Sequence, residues 1–87
     1  MEIYHYTDNF WHEYYNVTKV KRRKQAICKH CNQSILIKEI AAIVDYKYGH
    51  ILPNDDGTNS FDWHYEGVIA ILHTMCITKF IKTNKKL

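Results

Sequence analysis

Gln25-Ala26-Ile27-Cys28-Lys29-His30-Cys31-Asn32-Gln33-Ser34-Ile35-Leu36-Ile37-Lys38 is the stretch that decides the fold. β-branched and apolar residues on either side, Gln25 to Cys28 and Ser34 to Lys38, read as two short strands. Lys29 to Gln33 between them reads as a turn. Cys28 and Cys31 form a Cys-x2-Cys pair across that turn. Two intervening residues let a tight turn aim both sulfurs at a single ion, at about 2.3 Å each for zinc. Zinc needs two further ligands, and His64, His73 and Cys76 lie downstream.

The distal pair follows from spacing. On a helix His73 and Cys76 stand at i and i+3, so both project from one face. The expected ligand set is therefore Cys28, Cys31, His73 and Cys76. His64 is the substitute, but on a continuous helix it would lie about 13.5 Å from His73. Pairing those two requires a break, which Gly67 could supply. Two other readings of the thiols remain open: plain core or surface cysteines, and a redox Cys-x2-Cys pair, which usually opens a helix after a strand. His5, His12 and His50 read as non-ligands. His30, inside the turn, reads as facing solvent or a phosphate.

Working outward, 87 residues make one small domain, with 46% hydrophobic and 14% aromatic content arguing against disorder. A core of that size is often marginal without a metal or disulfide. The three cysteines, an odd number, and no secretory signal argue for a reducing compartment and against a disulfide framework. The apolar run from residue 67 to 81 would reach about 22 Å as a helix, short of the roughly 30 Å of a hydrocarbon core. It reads as a buried helix, and no membrane association is expected.

The expected organisation is a small α+β domain spanning 1–87. Residues 9–38 hold an aromatic arm or short helix, capped by Thr7 or Asp8 near Asn9, followed by the zinc-knuckle hairpin. Residues 39–57 are an insertion and loop, with 40–46 leaning to helix and a turn signal in Pro53 to Gly57. Residues 58–81 form a helix capped by Thr58 or Ser60, with Phe61, Tyr65, Val68, Leu72 and Met75 at helical period. Residues 82–87 form a basic tail.

The net charge is only +3, but it is unevenly distributed. Lys19, Lys21, Arg22, Arg23 and Lys24 fall within six positions. Such a cluster suggests a phosphate-facing side, or simply a solvated stretch.

These residues carry a resemblance. Phe10-Trp11-His12-Glu13-Tyr14, the basic segment, and then Gln25 to Asn32 with its Cys-x2-Cys resemble the opening of a BED-type zinc finger. Gly57-Thr58-Asn59-Ser60-Phe61-Asp62-Trp63-His64 is loosely similar to the element that opens that family's ligand helix, with His64 at its first histidine. The segment after Cys31 is longer than the family pattern, and no histidine or cysteine follows His64 at the usual short spacing. The resemblance implies a zinc-stapled ββα finger. It would be a sequence-recognising, double-stranded-DNA-binding module of a nuclear transcription, chromatin or hAT-transposase-derived protein.

On that reading Lys19, Lys21, Arg22, Arg23 and Lys24 contact phosphates. Asn59, Ser60 and His64, at the helix start, are candidate base contacts. The alternative is a zinc-stabilised protein-interaction or homodimerisation module without DNA binding. No Ser/His/Asp constellation, paired-carboxylate site or phosphate-cradling glycine loop stands out, so neither an enzyme nor a small-molecule substrate is expected.

Overall fold

In a computed structural model, which describes residues 1–8 and 10–85, the chain is a small α+β domain. Asn9, where the short helix was expected to begin, and Lys86 and Leu87 of the expected basic tail lie outside the described residues. The strands are β1 (Glu2–Thr7), β2 (Trp11–Lys21), β3 (Ala26–Ile27), β4 (Ser34–Ile35), β5 (Ile40–Pro53) and β6 (Asn59–His73). A 3-10 turn, Thr74–Cys76, leads into the single α-helix, α1 (Ile77–Asn84). An antiparallel sheet in the order β1-β2-β5-β6 forms the body, and β3 and β4 make a separate hairpin. The domain is elongated, 54 × 21 × 17 Å.

Three expectations are corrected. The aromatic N-terminal segment is a hairpin and not a helix. Glu13, Tyr15 and Val17 are buried in alternation along β2, the period of a strand. Asp8 still caps, but it closes the β1–β2 turn: its Oδ1 accepts from the backbone N–H of Phe10 (3.0 Å) and of Trp11 (2.9 Å). Residues 39–57 are no insertion loop and 40–46 no helix. Most of that segment is β5, and the turn is confined to the tip, where Gly57 takes φ 87°.

The helix expected over 58–81 is β6 as far as His73, and only Ile77–Asn84 is α-helical. Strand pairing with β5 along its whole length outweighs the helical spacing of Phe61, Tyr65, Val68 and Leu72. Two irregularities conceal the strand period, because Glu66 and Ile69 have no partner in the register.

The core lies on one face of the sheet. Tyr15 and Val17 from β2, Ala42, Val44 and Tyr46 from β5, and Ala70 and Leu72 from β6 are buried there. Ile77, Phe80 and Ile81, one side of α1, belong to the same cluster. Asn84 Nδ2 donates to the Tyr15 hydroxyl at 3.1 Å, and Lys85 Nζ sits 4.4 Å from the centre of the Tyr6 ring. Tyr46 also donates its hydroxyl to the fully buried Glu13 carboxylate at 2.8 Å. Burial and the Glu13 carboxylate both push the Tyr46 phenol well above its usual range.

Ile81→Ala should cost about 2–5 kcal/mol, because it deletes buried aliphatic volume where α1 meets the sheet. Urea unfolding followed by circular dichroism measures it. A cost below about 1 kcal/mol would mean that α1 is not docked.

Candidate metal centre

The Cys-x2-Cys turn is closed by its own backbone. Cys28 N–H donates to the Gln33 carbonyl at 2.9 Å, and Asn32 N–H donates to the Cys28 carbonyl at 2.9 Å. Asn32 takes φ 62°, a left-handed conformation that asparagine tolerates better than most residues. The turn then docks on the edge of β6, where Lys29 N–H donates to the Ile71 carbonyl at 3.0 Å. That bond brings the knuckle beside the C-terminal end of β6. His73 is the last residue of that strand, and Cys76 ends the 3-10 turn that follows.

One ligand atom from each of Cys28, Cys31, His73 and Cys76 lies within 4.8 Å of all the others. The edges of a tetrahedral zinc site with Zn–S near 2.3 Å and Zn–N near 2.0 Å run to roughly 3.5–3.8 Å. The cluster therefore could hold zinc after sub-ångström to ångström adjustments of side chains. The structure brings together the expected four residues, although the helix used to pair His73 with Cys76 is absent. His73 is instead the extended residue that precedes the 3-10 turn and Cys76 its last, so that one turn brings the two together.

His73 is oriented for the task. Its Nδ1 lies 3.3 Å from Cys31 Sγ and its Nε2 lies 3.1 Å from the Ser34 carbonyl. A proton on Nε2 donated to that carbonyl leaves the Nδ1 lone pair aimed at the sulfurs. This is the outer hydrogen bond that metal-ligating histidines ordinarily make. Glu39 stands further off, with Oε2 3.9 Å from Nε2.

The thiols are electrostatically unequal. Burial disfavours the Cys28 thiolate, but the backbone N–H groups of Cys31, His73 and His30 outweigh it and bring its pKa down to about 6. The His73 backbone N–H points at this sulfur from 3.4 Å. Burial, with the neighbouring Cys28 sulfur adding to it, pushes Cys76 up to about 11. Hydrogen bonds first to Cys28 and then to Cys31 raise the His73 imidazole. The centre thus has one thiolate stabilised by backbone donors. The Cys76 thiol, pushed up by its surroundings, is a group whose proton a bound cation would replace.

The remaining expected site residues are scattered. His64, the substitute ligand, lies opposite Tyr48 and stacks on it at 5.1 Å between ring centres. Nine strand steps separate it from His73, about 30 Å at strand rise, so it is no part of the cluster. Lys19 is paired with Glu2 at 2.7 Å. No carboxylate pairs with Lys21, Arg22, Arg23 or Lys24 among the described residues; they follow one another at the end of β2 and in the loop leading to β3.

Asn59 and Ser60 are not at a helix start. They begin β6 at the far hairpin tip, where Ser60 exchanges hydrogen bonds with Asn54. Fourteen strand steps, about 46 Å, separate Asn59 from His73. The candidate base contacts and the basic segment therefore lie at opposite ends of the molecule. Sequence reasoning missed Ser34 and Lys29 as backbone partners of the centre. Neither side chain takes part, so no residue-type signal marked them.

No protein-family model matches the chain, and no curated protein and no solved structure matches it either.

His73→Ala and Cys76→Ala should each lose the bound metal in native mass spectrometry, whereas His64→Ala should retain one zinc per chain. Retention by His73→Ala with loss by His64→Ala would reverse the assignment.

Proposed function

We propose that the chain is a zinc-stapled module that binds duplex DNA through its metal-bearing end. The observation that carries this reading is the convergence of a Cys3His cluster with an unpaired basic segment at one end of an elongated sheet. Zinc held by four protein ligands has no open position for water, which supports a structural and non-enzymatic role. Such a site contributes to folding outright, and its removal is expected to loosen the knuckle and α1 together.

The charge distribution supports the same end as the contact surface. Among the described lysines and arginines, only Lys47 lies on the long β5–β6 hairpin. Lys21, Arg22, Arg23 and Lys24, joined by Lys29 in the knuckle and Lys79 and Lys82 on α1, are available to phosphates. Carboxylates Asp55, Asp56 and Asp62 gather at the opposite tip. This polarity would orient the module on a polyanion and supply salt-sensitive affinity.

Within this proposal the ββα unit consists of β3, β4 and α1, with the β5–β6 hairpin intervening. Base readout then falls to the exposed polar residues of α1, such as Thr78 and Lys79, and not to Asn59, Ser60 or His64. The BED-type resemblance supports the proposal through residues 9–38 alone, since Asn59 to His64 is strand. A nuclear setting accompanies the proposal. No helix among the described residues is long and apolar enough to cross a membrane.

A zinc-stabilised protein-interaction or homodimerisation module is the second reading. It draws on exposed Leu36, Ile37 and Met75 near the metal end.

Duplex affinity measured by fluorescence anisotropy should fall steeply with salt, with a log–log slope of about −0.9 per phosphate contacted. Arg22→Ala with Arg23→Ala should flatten that slope by about 2 and weaken binding uniformly across sequences. Salt-independent binding, or a monomer–dimer equilibrium with no DNA affinity, would favour the second reading.

A further inference from the structure

The sheet has a second face, opposite α1. Register places His5 on β1, His12 and Tyr14 on β2, Gly49 and Lys47 on β5, and Phe61 and Trp63 on β6 on that side. These residues form one contiguous surface. The His5 and Tyr14 rings stack at 4.1 Å with planes 4° apart. His5 Nε2 and His12 Nδ1 share a hydrogen bond at 2.8 Å. Trp63 comes within 5.5 Å of Tyr14 and 6.0 Å of His12 between ring centres, so its indole spans β5 to reach β2. Phe61 lies parallel to Trp63, 5.7 Å away with planes 7° apart.

Gly49 makes this possible. A Cβ there would stand 2.7 Å from Trp63 Cε3 and 2.7 Å from the Asp62 carbonyl oxygen. The missing side chain is the bed on which the indole lies. Despite that packing, Trp63 remains 41% exposed and Phe61 53% exposed. Rings that merely completed a core would be covered.

We infer that this face is a stacking platform for single-stranded nucleic acid, with bases on the Trp63 and Phe61 rings and phosphate at Lys47. The charge on the surface favours that occupant. Lys47 Nζ sits 5.0 Å from the Tyr14 ring centre and 5.1 Å from that of Trp63, which puts a cation among the rings. The imidazoles of His5 and His12 add polar nitrogens beside it. A carboxylate on this face, Asp45, accepts from the Tyr65 hydroxyl at 3.4 Å. Asp62 and its partner His64 belong to the opposite face, since Asp62 pairs with His50 and His64 with Tyr48.

Exposed aromatic rings joined to cations on an open sheet suit unpaired bases, whose faces a duplex hides. From Tyr14 to Lys21, at the end of β2, is seven strand steps, about 23 Å. An extended single strand could therefore run from the platform to the basic segment. The platform itself stands on residues the duplex proposal does not use.

The test uses the full zinc-loaded chain with short labelled oligothymidylate, oligouridylate and a duplex of matched length. Trp63→Ala should weaken single-strand binding about tenfold, within the range reported for one stacked base, and leave duplex binding within about twofold. Trp63→Phe should restore most of the loss. Phe61→Ala, at a more exposed ring, should weaken the same binding and repeats the test should Trp63→Ala lose zinc or fold.

Absence of single-strand binding by the parent would overturn the inference, as would unchanged binding in Phe61→Ala when Trp63→Ala also binds unchanged or fails to fold. Self-association abolished by Phe61→Ala, without oligonucleotide binding, would assign the face to a second copy and overturn it as well. Duplex binding lost only on substitution of Arg22 and Arg23 reports on the metal-end proposal separately.

Discussion

The bond between the knuckle turn and the end of β6 holds the hairpin and the helix against the sheet. Two two-residue strands, β3 and β4, cannot stand alone, and an eight-residue helix is marginal in isolation. Both are tethered at the same point. Lys29 donates to Ile71, the His73 N–H points at Cys28, and His73 reaches Cys31 with one ring nitrogen and Ser34 with the other. Cys76 then ends the 3-10 turn through which the chain passes from β6 into α1. A cation among three sulfurs and one imidazole would lock the hairpin, the strand end and the start of α1 into one unit. Without it, the adjoining sulfurs must hold protons or repel one another.

This arrangement gives the molecule two different ends. At the metal end the sheet is covered by α1 and the knuckle, and most of the basic side chains gather there. At the other end the β5–β6 hairpin extends beyond any covering element, with aromatic side chains on both faces: Trp11, Tyr48 and His64 on one, His12, Phe61 and Trp63 on the other. An antiparallel sheet can leave one face to solvent, but a face this rich in rings is unusual for packing alone.

How much of this was legible follows from the length scale of each signal. The knuckle is local, so Cys-x2-Cys between β-rich segments identified the hairpin and its thiols directly. His73 and Cys76 were paired from helical spacing; no helix exists at that point, yet the turn after β6 brings both into the cluster. The four-stranded sheet was not legible. Adjacent aromatics such as Tyr14 and Tyr15 blur the alternation of β2. In β6 the unpaired Glu66 and Ile69 shift the phase of the strand twice, and what remains mimics a helical period. Asp8 carried a cap signal that a turn satisfies as well as a helix does. The aromatic platform was invisible for a different reason: it joins residues from four strands whose register only the fold sets.

X-ray absorption at the zinc edge on the purified chain reports the ligand shell itself. A four-coordinate shell of three sulfurs near 2.3 Å and one nitrogen near 2.0 Å is expected. In His73→Ala that nitrogen scatterer should be lost or replaced. A folded protein carrying no zinc, or zinc bound in a shell of oxygen and nitrogen without sulfur, would contradict that ligand set.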